Sequence, residues 1–318
     1  MITVKETGNP FARAKVIGRG IDPAVYHRTS GKRGDKDFVM SRSELMEFHH
    51  CPSRWLKGFV GKDSSATEWG TLLDCLLLDS TNFANRFAVA PASYPAEGKR
   101  KGDPPVIKPW NWNATYCQEW RETLTEGMTV VKSADYEEAN AALRVLLDDP
   151  TVKELVQTSD AQVSVLAEYE DDDTGLVIPV KALIDLVPDV NCERFGKTLM
   201  DFKTANSAAP GPWQNAVHEY GYHVQAALYL DAYTAATGED RTDWFFIIQE
   251  NYVPWELGKR FLSSEFVTLG RMRYMDALAR YAKCLATNQW PSYDTDPMGL
   301  SFHGFNICEP PAWAINRL

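Results

Sequence analysis

Paired cysteines, long apolar runs and an excess of basic residues are all missing from this sequence. Its six cysteines form no CxxC pair, so neither a zinc finger nor a disulfide framework is predicted. No apolar run approaches the roughly 20 residues of a membrane span, and the first six residues lack the apolar segment of a signal peptide. We therefore expect a protein of the cytoplasm without a membrane partner.

The net charge of −10 disfavours nucleic acid as a partner, because phosphate contacts from lysine and arginine usually supply much of that binding energy. The charge is unevenly distributed, however. Acidic runs lie at 148–149 and 171–173, whereas basic residues cluster at 28–36 and at 99–101. This pattern is compatible with one basic channel whose affinity for a polyanion would fall steeply with salt.

The order of predicted elements indicates the fold class. Residues 1–37 are polar and punctuated by glycine, which predicts an N-terminal arm, and residues 38–318 are predicted to form one domain. Helical periodicity predicts two short helices within 41–56 and further helices at 66–78, 114–126, 135–148, 216–236 and 263–286. β-rich runs predict a hairpin of 163–168 with 176–185 and strands at 197–203 and 244–248, while a Pro- and Gly-rich stretch at 90–112 predicts a surface loop. These elements indicate an α/β fold with a mixed sheet between flanking helices.

One predicted strand carries a carboxylate and an ammonium group on the same face. Alternate side chains of a strand project together, so Asp201 and Lys203 point the same way. Asp185, from another strand, would complete the carboxylate set that metal-assisted phosphodiester hydrolysis requires. The lysine would orient the nucleophile or stabilise a developing oxyanion. The alternative interpretation of Asp201 and Lys203 is an ion pair on an edge strand.

An ordered set of residues surrounds this strand: Glu168, Asp185, Asp201-Phe202-Lys203 and, on the following helix, Gln225 and Tyr229. The set resembles the PD-(D/E)XK nuclease superfamily and, within it, the exodeoxyribonuclease VIII (RecE-type) exonucleases of phages and prophages. The likeness runs from about Phe38 to Ala314 and includes the segments 41–45, 51–52, 68–73, 222–225, 290–293 and 311–313. Because a DxK doublet occurs by chance in many strands, the weight rests on the whole ordered set.

The resemblance implies a restriction-endonuclease-like mixed sheet and a 5′-to-3′ exonuclease that acts on double-stranded DNA ends and leaves 3′ single strands. It implies two Mg²⁺ ions per active site, with Mn²⁺ as a substitute, and a homo-oligomeric ring of three or four subunits. A single-strand annealing protein would be the partner, in the cytoplasm of a bacterial host of the encoding phage or prophage. The alternatives are a structure-specific or endonucleolytic nuclease, and a non-catalytic DNA-binding or recombinase-loading protein on the same fold.

The resemblance also implies roles for individual residues. Asp185, Asp201 and the backbone carbonyl of Phe202 would bind metal, and Lys203 would position the attacking water. Glu168 would be an outer metal ligand or water partner, and Gln225 and Tyr229 would contact the scissile strand or brace the lysine.

Two positions depart from the pattern of the relatives. Asp74 stands where relatives often carry a metal-binding histidine, and Leu183 stands where many carry a basic residue. A carboxylate is a hard oxygen ligand, so Asp74 is expected to bind Mg²⁺ or Mn²⁺, the alternative being a weakened metal site.

DNA contacts are expected from two further segments. Lys99, Arg100 and Lys101 begin a stretch that combines cations with the tryptophans at 110 and 112, a pattern that suits backbone tracking and base stacking; the alternative is a solvated loop. Ser41, Arg42 and Ser43 at a helix start, with Arg54 nearby, would bind a terminal phosphate. Cys51-Pro52 occurs in iron–sulfur nucleases of this superfamily, but too few cysteines follow near the C-terminus, so no such cluster is expected.

Overall fold

The computed structural model describes residues 8–21, 23–28, 30–59, 65–98, 103–295, 301–302, 305–306 and 310. The strands are β1 (Phe11–Gly18), β2 (Met40–Ser41), β3 (Phe87–Ala90), β4 (Ser93–Ala96), β5 (Val106–Pro109), β6 (Thr129–Lys132), β7 (Ser159–Glu170), β8 (Val177–Pro188), β9 (Thr198–Ala205), β10 (Asp243–Glu250), β11 (Leu257–Phe261), β12 (Ser301–Phe302) and β13 (Phe305–Asn306). The helices are α1 (Pro23–Arg28), α2 (Arg42–His50), α3 (Pro52–Leu56), α4 (Ser65–Leu78), α5 (Phe83–Arg86), α6 (Thr115–Glu122), α7 (Ser133–Asp148), α8 (Pro150–Thr158), α9 (Pro210–Glu219), α10 (Tyr222–Thr237) and α11 (Ser264–Thr287), with a 3₁₀ turn at Ser80–Asn82.

A mixed sheet forms the centre of the described chain, with strand order β1-β7-β8-β9-β10-β11 and with β2 paired to β8. The predicted hairpin is the antiparallel pair β7 and β8, whereas β9 and β10 run parallel and are joined through α9 and α10. Parallel neighbours need such a crossover, and the helix it supplies covers one face of the sheet. The predicted α/β fold with a mixed sheet and flanking helices is confirmed.

The core lies on both faces of the sheet. Along β10, Trp244 and Phe246 belong to one apolar cluster and Phe245 and Ile247 to the other, as the period of two in a strand requires. The first cluster includes the buried faces of α2, α10 and α11, and the second those of α4, α7 and α8. A strand covered on both sides is apolar throughout, which explains the uninterrupted run in β10.

Within the segment predicted as an N-terminal arm, residues 11–18 form β1 of the central sheet. β1 pairs antiparallel with β7, where Ala14 faces Ala167 and Val16 faces Val165. Phe11 is buried and its ring stacks on Tyr274 at 5.9 Å between centroids. The structure therefore has no boundary at residue 37 within the sheet.

Two further predictions of local structure need correction. The stretch 90–112 contains an antiparallel hairpin of β4 and β5 rather than only a loop, and Trp110 packs edge-on against Tyr94 and Trp120 beside it. The helix predicted at 216–236 is two helices, because Gly221 adopts a left-handed φ of +66° between α9 and α10. No helix in the described part of the chain has the length and apolar character needed to cross a bilayer.

Candidate active site

A cleft of about 1240 Å³ opens where β8 and β9 diverge. Leu186 and Met200 pair across these two strands. The next residue toward the cleft is Asp185 on β8 and Asp201 on β9. The backbone N–H of Phe202 donates to Asp185 Oδ2 at 2.9 Å, so a carboxylate takes the place of a backbone acceptor. The divergence leaves both aspartates lining the cleft.

Asp201 is the most enclosed acid of the cleft wall and has polar groups on both oxygens. Its exposed fraction is 2%, and Lys203 Nζ lies 2.6 Å from Oδ2. Gln225 Nε2 donates to Oδ1 at 2.7 Å, and Arg42 Nη2 donates to Gln225 Oε1 at 2.9 Å. Arg42, Gln225 and Asp201 thus form a chain of hydrogen bonds from α2 through α10 to β9. The structure brings Asp185, Asp201, Lys203, Gln225 and Arg42 together.

The ring of Tyr222 lies between the two cations of the cleft wall. Lys203 Nζ is 5.5 Å and the Arg42 guanidinium 5.7 Å from its centroid. Tyr229, about two turns further along α10, is buried and lines the same cleft, with its ring packed against Trp244. Aromatic faces attract cations, so Tyr222 helps to hold both of them beside Asp201.

Asp74 reaches the same cleft from α4. A Cβ at Gly70 would lie 2.9 Å from Thr204 Oγ1, so the absence of a side chain at Gly70 allows α4 to approach β9 closely. Residues four apart share a helix face, which directs Asp74 toward the cleft that it lines. Burial raises the pKa of Asp74 to about 6, the cations of Lys203 and Arg86 oppose the rise, and Asp201 adds to it.

Burial and neighbouring charges also shift the pKa values of Asp185 and Lys203. Burial raises the pKa of Asp185 well above its ordinary value, and the charges of Asp201 and Asp74 raise it further. For Lys203, burial lowers the pKa, but the charges of Asp201 and Asp185 outweigh this and leave it above the ordinary value. Lys203 is therefore a cation at neutral pH, which suits charge stabilisation and not proton acceptance.

The donor chemistry of the cleft fits a hard divalent cation. The three carboxylates of Asp74, Asp185 and Asp201 are close enough to interact electrostatically, and Phe202, whose carbonyl is a further oxygen donor, follows Asp201 in the sequence. Oxygen ligands of this kind are what Mg²⁺ and Mn²⁺ prefer. Among the described residues, no three acidic, histidine or cysteine side chains converge closely enough to form a ready-made metal site, and the Lys203 ammonium instead lies against Asp201.

The structure does not bring Glu168 or Arg54 to the cleft. Glu168 faces Pro179 across the hairpin, six residues along β7 from the position that faces Asp185, which is about 20 Å in a strand. Its carboxylate pairs with Arg13 Nε at 2.8 Å. Arg54 pairs with Glu47 and packs over the ring of Phe59. An outer metal role for Glu168 and a phosphate contact from Arg54 therefore lack support in the geometry.

The other predicted DNA-contact residues differ in their position. Arg42 and Ser43 line the cleft, whereas Ser41 is buried and caps α2 by accepting a hydrogen bond from Glu44 N–H. Lys99, Arg100 and Lys101 lie outside the described residues, as does the segment 311–313.

The cleft wall also contains residues that the sequence analysis did not single out. Tyr26 and Gln162 line it beside Leu183, and Arg86 lines it beside Asp74. The signal for Gln162 was a polar residue inside an apolar strand, between Ala161 and Val163. No such signal marked Tyr26, which the fold brings in from the N-terminal segment.

Acidic side chains outnumber basic ones in this wall. The acids are Asp74, Glu126, Asp185, Asp201 and Glu219, and the bases are Arg42, Arg86 and Lys203. Among the described residues of this wall, basic side chains therefore do not form the channel expected from the sequence, and Lys99, Arg100 and Lys101 lie outside those residues. A polyanion would meet net negative charge here, which bound cations would reverse.

Comparison with protein families identifies the fold. Residues 36–296 match the PDDEXK-like domain of unknown function (DUF3799). The chain belongs to this family. The match confirms the predicted membership of the PD-(D/E)XK nuclease superfamily, and it begins after β1 and α1, although β1 is part of the same sheet.

Solved structures agree with this assignment at the level of the fold. The protein is similar to a "putative exonuclease" from Eubacterium rectale, with 14% sequence identity, a TM-score of 0.55, and coverage of 94% of this chain and 98% of that chain. A match to Candida albicans Rai1 in complex with pU5 and Mn²⁺ covers 90% and 79% of the two chains at 10% identity, and its TM-score of 0.26 is too low to carry an argument. None of the curated proteins matches this sequence.

Proposed function

We propose that this protein is a divalent-metal-dependent exodeoxyribonuclease that degrades double-stranded DNA from its ends in the 5′-to-3′ direction and leaves 3′ single strands. The observation that carries the proposal is the arrangement of Asp185, Asp201 and Lys203 around the point where β8 and β9 diverge. Membership of the PDDEXK-like family and the description of the Eubacterium rectale protein as an exonuclease support the nuclease class. The polarity and the preference for ends come from the resemblance to exodeoxyribonuclease VIII.

Each residue has a role that follows from its contacts. Two Mg²⁺ or Mn²⁺ ions, held by Asp74, Asp185, Asp201 and the Phe202 carbonyl, would supply Lewis acidity and lower the pKa of a bound water. Lys203 is protonated, so it donates a hydrogen bond to the nucleophile or to the oxygen on which charge develops. Gln225 holds one oxygen of Asp201 in place and is itself held by Arg42.

The assembly and the partner are part of the same proposal. Processive degradation requires that the enzyme encloses its DNA, and a closed ring of three or four identical subunits would do so. The single strand that this reaction leaves is a substrate for a single-strand annealing protein. Sedimentation of the protein alone tests the ring, and a monomer at working concentration would remove it from the proposal.

A cleavage assay tests the activity. Linear duplex DNA labelled at the 5′ or the 3′ end is incubated with Mg²⁺ or with EDTA, using the wild type, Asp201→Asn and Lys203→Ala. We expect loss of duplex only with Mg²⁺, release of the 5′ label first, and no activity in either variant. Lys197→Ala is the matched control, because this lysine is exposed and pairs with Asp240 just before β9.

The same assay separates the alternatives. Covalently closed circular DNA has no ends, so an exonuclease leaves it intact while an endonuclease cuts it. Binding of duplex DNA without cleavage of any substrate would instead identify a non-catalytic DNA-binding protein and contradict the proposed activity.

A further inference from the structure

Gln162, on β7, is one of the residues that line the cleft. In the β7 and β8 ladder, Ala161 faces Leu186 and Val163 faces Ile184, so Gln162 stands opposite Asp185. Neighbouring strands are about 5 Å apart. The backbone positions of Gln162 and Asp185 are therefore separated by one strand spacing, which is less than the length of one nucleotide along a DNA strand.

The backbone of Gln162 is strained. Its φ is +49°, a left-handed conformation that is unfavourable for a residue with a Cβ and that glycine adopts freely. The conformation turns its carbonyl toward Ile21 N–H, from which it accepts a hydrogen bond at 3.2 Å. Strained residues of this kind are enriched at active sites and ligand clamps.

The side-chain amide of Gln162 has no hydrogen-bond partner. The residue is 1% exposed, and neither Nε2 nor Oε1 contacts a donor or acceptor of the described residues, although the residue lines the cleft. Buried amides are normally paired, because an unpaired one loses its hydrogen bonds to water without replacing them. The amide thus leaves its donor and acceptor capacity unused in a residue that lines the cleft.

Apolar and aromatic residues line the cleft together with Gln162. Pro23, Tyr26 and Leu183 line the same cleft, and the Tyr26 hydroxyl donates to the carbonyl of Lys181 on β8 at 3.0 Å. The ammonium of Lys181 is bonded to the carbonyl of Tyr26 and does not line the cleft. This part of the wall therefore offers ring and alkyl surface, an amide and the carboxylate of Asp185.

We infer that Gln162, with Tyr26, Pro23 and Leu183, forms a subsite for the nucleobase of a nucleotide next to the scissile bond. A base edge carries both donors and acceptors and satisfies both ends of the amide, while its faces contact the ring and alkyl groups. A phosphate would accept from Nε2 only, leave Oε1 unpaired and lie beside Asp185. The inference rests on the proposed nucleic-acid substrate and goes beyond it by naming where a base is held.

Binding of modified duplexes tests the subsite. Blunt, 5′-phosphorylated duplexes carry a single abasic residue at position 1, 2 or 3 of the 5′ strand, and their dissociation constants are measured with Ca²⁺ in place of Mg²⁺. In the wild type we expect one of these positions to weaken binding about tenfold, the effect of two hydrogen bonds of modest net strength. Gln162→Ala should weaken binding of the unmodified duplex by a similar factor and remove the effect of that abasic position.

Two further variants separate function from folding. Gln162→Gly removes the same amide and relieves the left-handed strain, so we expect weaker DNA binding together with a Tm higher by about 2 °C. Gln249→Ala is the matched control, because Gln249 is a buried glutamine of β10 that donates to the carbonyl of Ala142 and lies outside the cleft. It should lower Tm and leave DNA affinity unchanged.

The outcomes are distinct. Unchanged affinity in both Gln162 variants, or an equal loss on normal and abasic DNA, overturns the subsite while leaving the proposed nuclease function in place. Absence of duplex binding by the wild type in Ca²⁺ overturns both. A stability loss in Gln162→Gly equal to that of Gln249→Ala would assign the residue to packing and also refute the inference.

Discussion

Replacement of Gln225 by glutamate is a direct test of how Asp201 is held. The substitution puts a carboxylate oxygen in the place of the Nε2 donor, 2.7 Å from Asp201 Oδ1. At an effective dielectric constant of about 20, two unit charges at this distance repel by about 6 kcal/mol. Arg42, 2.9 Å from the other amide atom, offsets part of this repulsion.

The alanine variant provides the scale for comparison. Gln225→Ala removes one hydrogen bond to a charged acceptor, which is worth about 1.5 to 3 kcal/mol, or roughly 10- to 100-fold in rate if it acts in the transition state. After compensation by Arg42, we expect Gln225→Glu to lose about 3 to 4 kcal/mol, or roughly 100- to 1000-fold. Glutamate should therefore be more damaging than alanine, although it is closer to glutamine in shape.

Initial rates on linear duplex DNA at saturating Mg²⁺ give the comparison. Gln118→Glu is the matched control, because it adds the same charge to an exposed position of α6 and should leave the rate unchanged. A Gln225→Glu enzyme as active as the wild type, or more active than Gln225→Ala, would refute the hydrogen bond between Gln225 and Asp201 as the functional contact.

Three further outcomes follow from the structure. Asp74→Asn should lower metal affinity roughly 10- to 100-fold in a calorimetric titration. Burial raises the pKa of Asp74 from 3.8 to about 6, so its contribution to the stability of the metal-free protein is present below pH 3.8 and is lost as the pH rises through about 6. Thermal melts in EDTA should show this loss in the wild type and not in Asp74→Asn. Burial lowers the pKa of His223, whose neutral ring accepts a hydrogen bond from Arg273 Nη1 at 3.2 Å. The stability that this histidine contributes is therefore present above its ordinary pKa of 6.5 and is lost as the pH falls below that value. His223→Gln should reduce the pH dependence of the free energy of unfolding in urea between about pH 5 and 7, and an unaltered pH profile would contradict this. A Cβ at Gly270 would lie 2.0 Å from the carbonyl oxygen of His223, so Gly270→Ala should force α10 and α11 apart and cost at least about 1 to 3 kcal/mol in urea unfolding, whereas Gly211→Ala, which meets no atom within 4 Å, should not.

The parts of the fold that the sequence predicts are those with dense apolar patterning. β10 is buried on both faces, and β7 and β8 carry dense sets of buried apolar residues, so all three could be recognised from their composition. β1 could not, because an edge strand with exposed Ile17 and Lys15 gains its stability from backbone pairing with β7. β4 and β5 each contain a proline, which is atypical of strands and concealed the hairpin.

The residues of the candidate site likewise include some whose proximity the sequence predicts and others whose position depends on the fold. Asp201 and Lys203 share one strand, so their proximity follows from a period of two. The partner of Asp185 on β7 depends on the register of the hairpin, which the turn at 171–176 sets through contacts such as Asp171 Oδ2 with Thr174. The family resemblance favours Glu168, whereas the register places Gln162 opposite Asp185.

The excess of acids over bases in the cleft changes how binding of DNA must be understood. A surface whose wall is net acidic gains little from phosphate contacts alone, since those contacts draw their energy from displaced counterions around basic side chains. The neutral donors of the wall and bound divalent cations must then supply the attraction, and a cation held by Asp185 and Asp201 would turn local repulsion into attraction. Linkage makes the effect reciprocal: whatever factor the metal adds to DNA affinity, DNA adds to metal affinity. Under the proposed function, a protein of net charge −10 would therefore bind DNA weakly in the absence of metal, and the acidic cleft would make the metal a condition for both binding and hydrolysis.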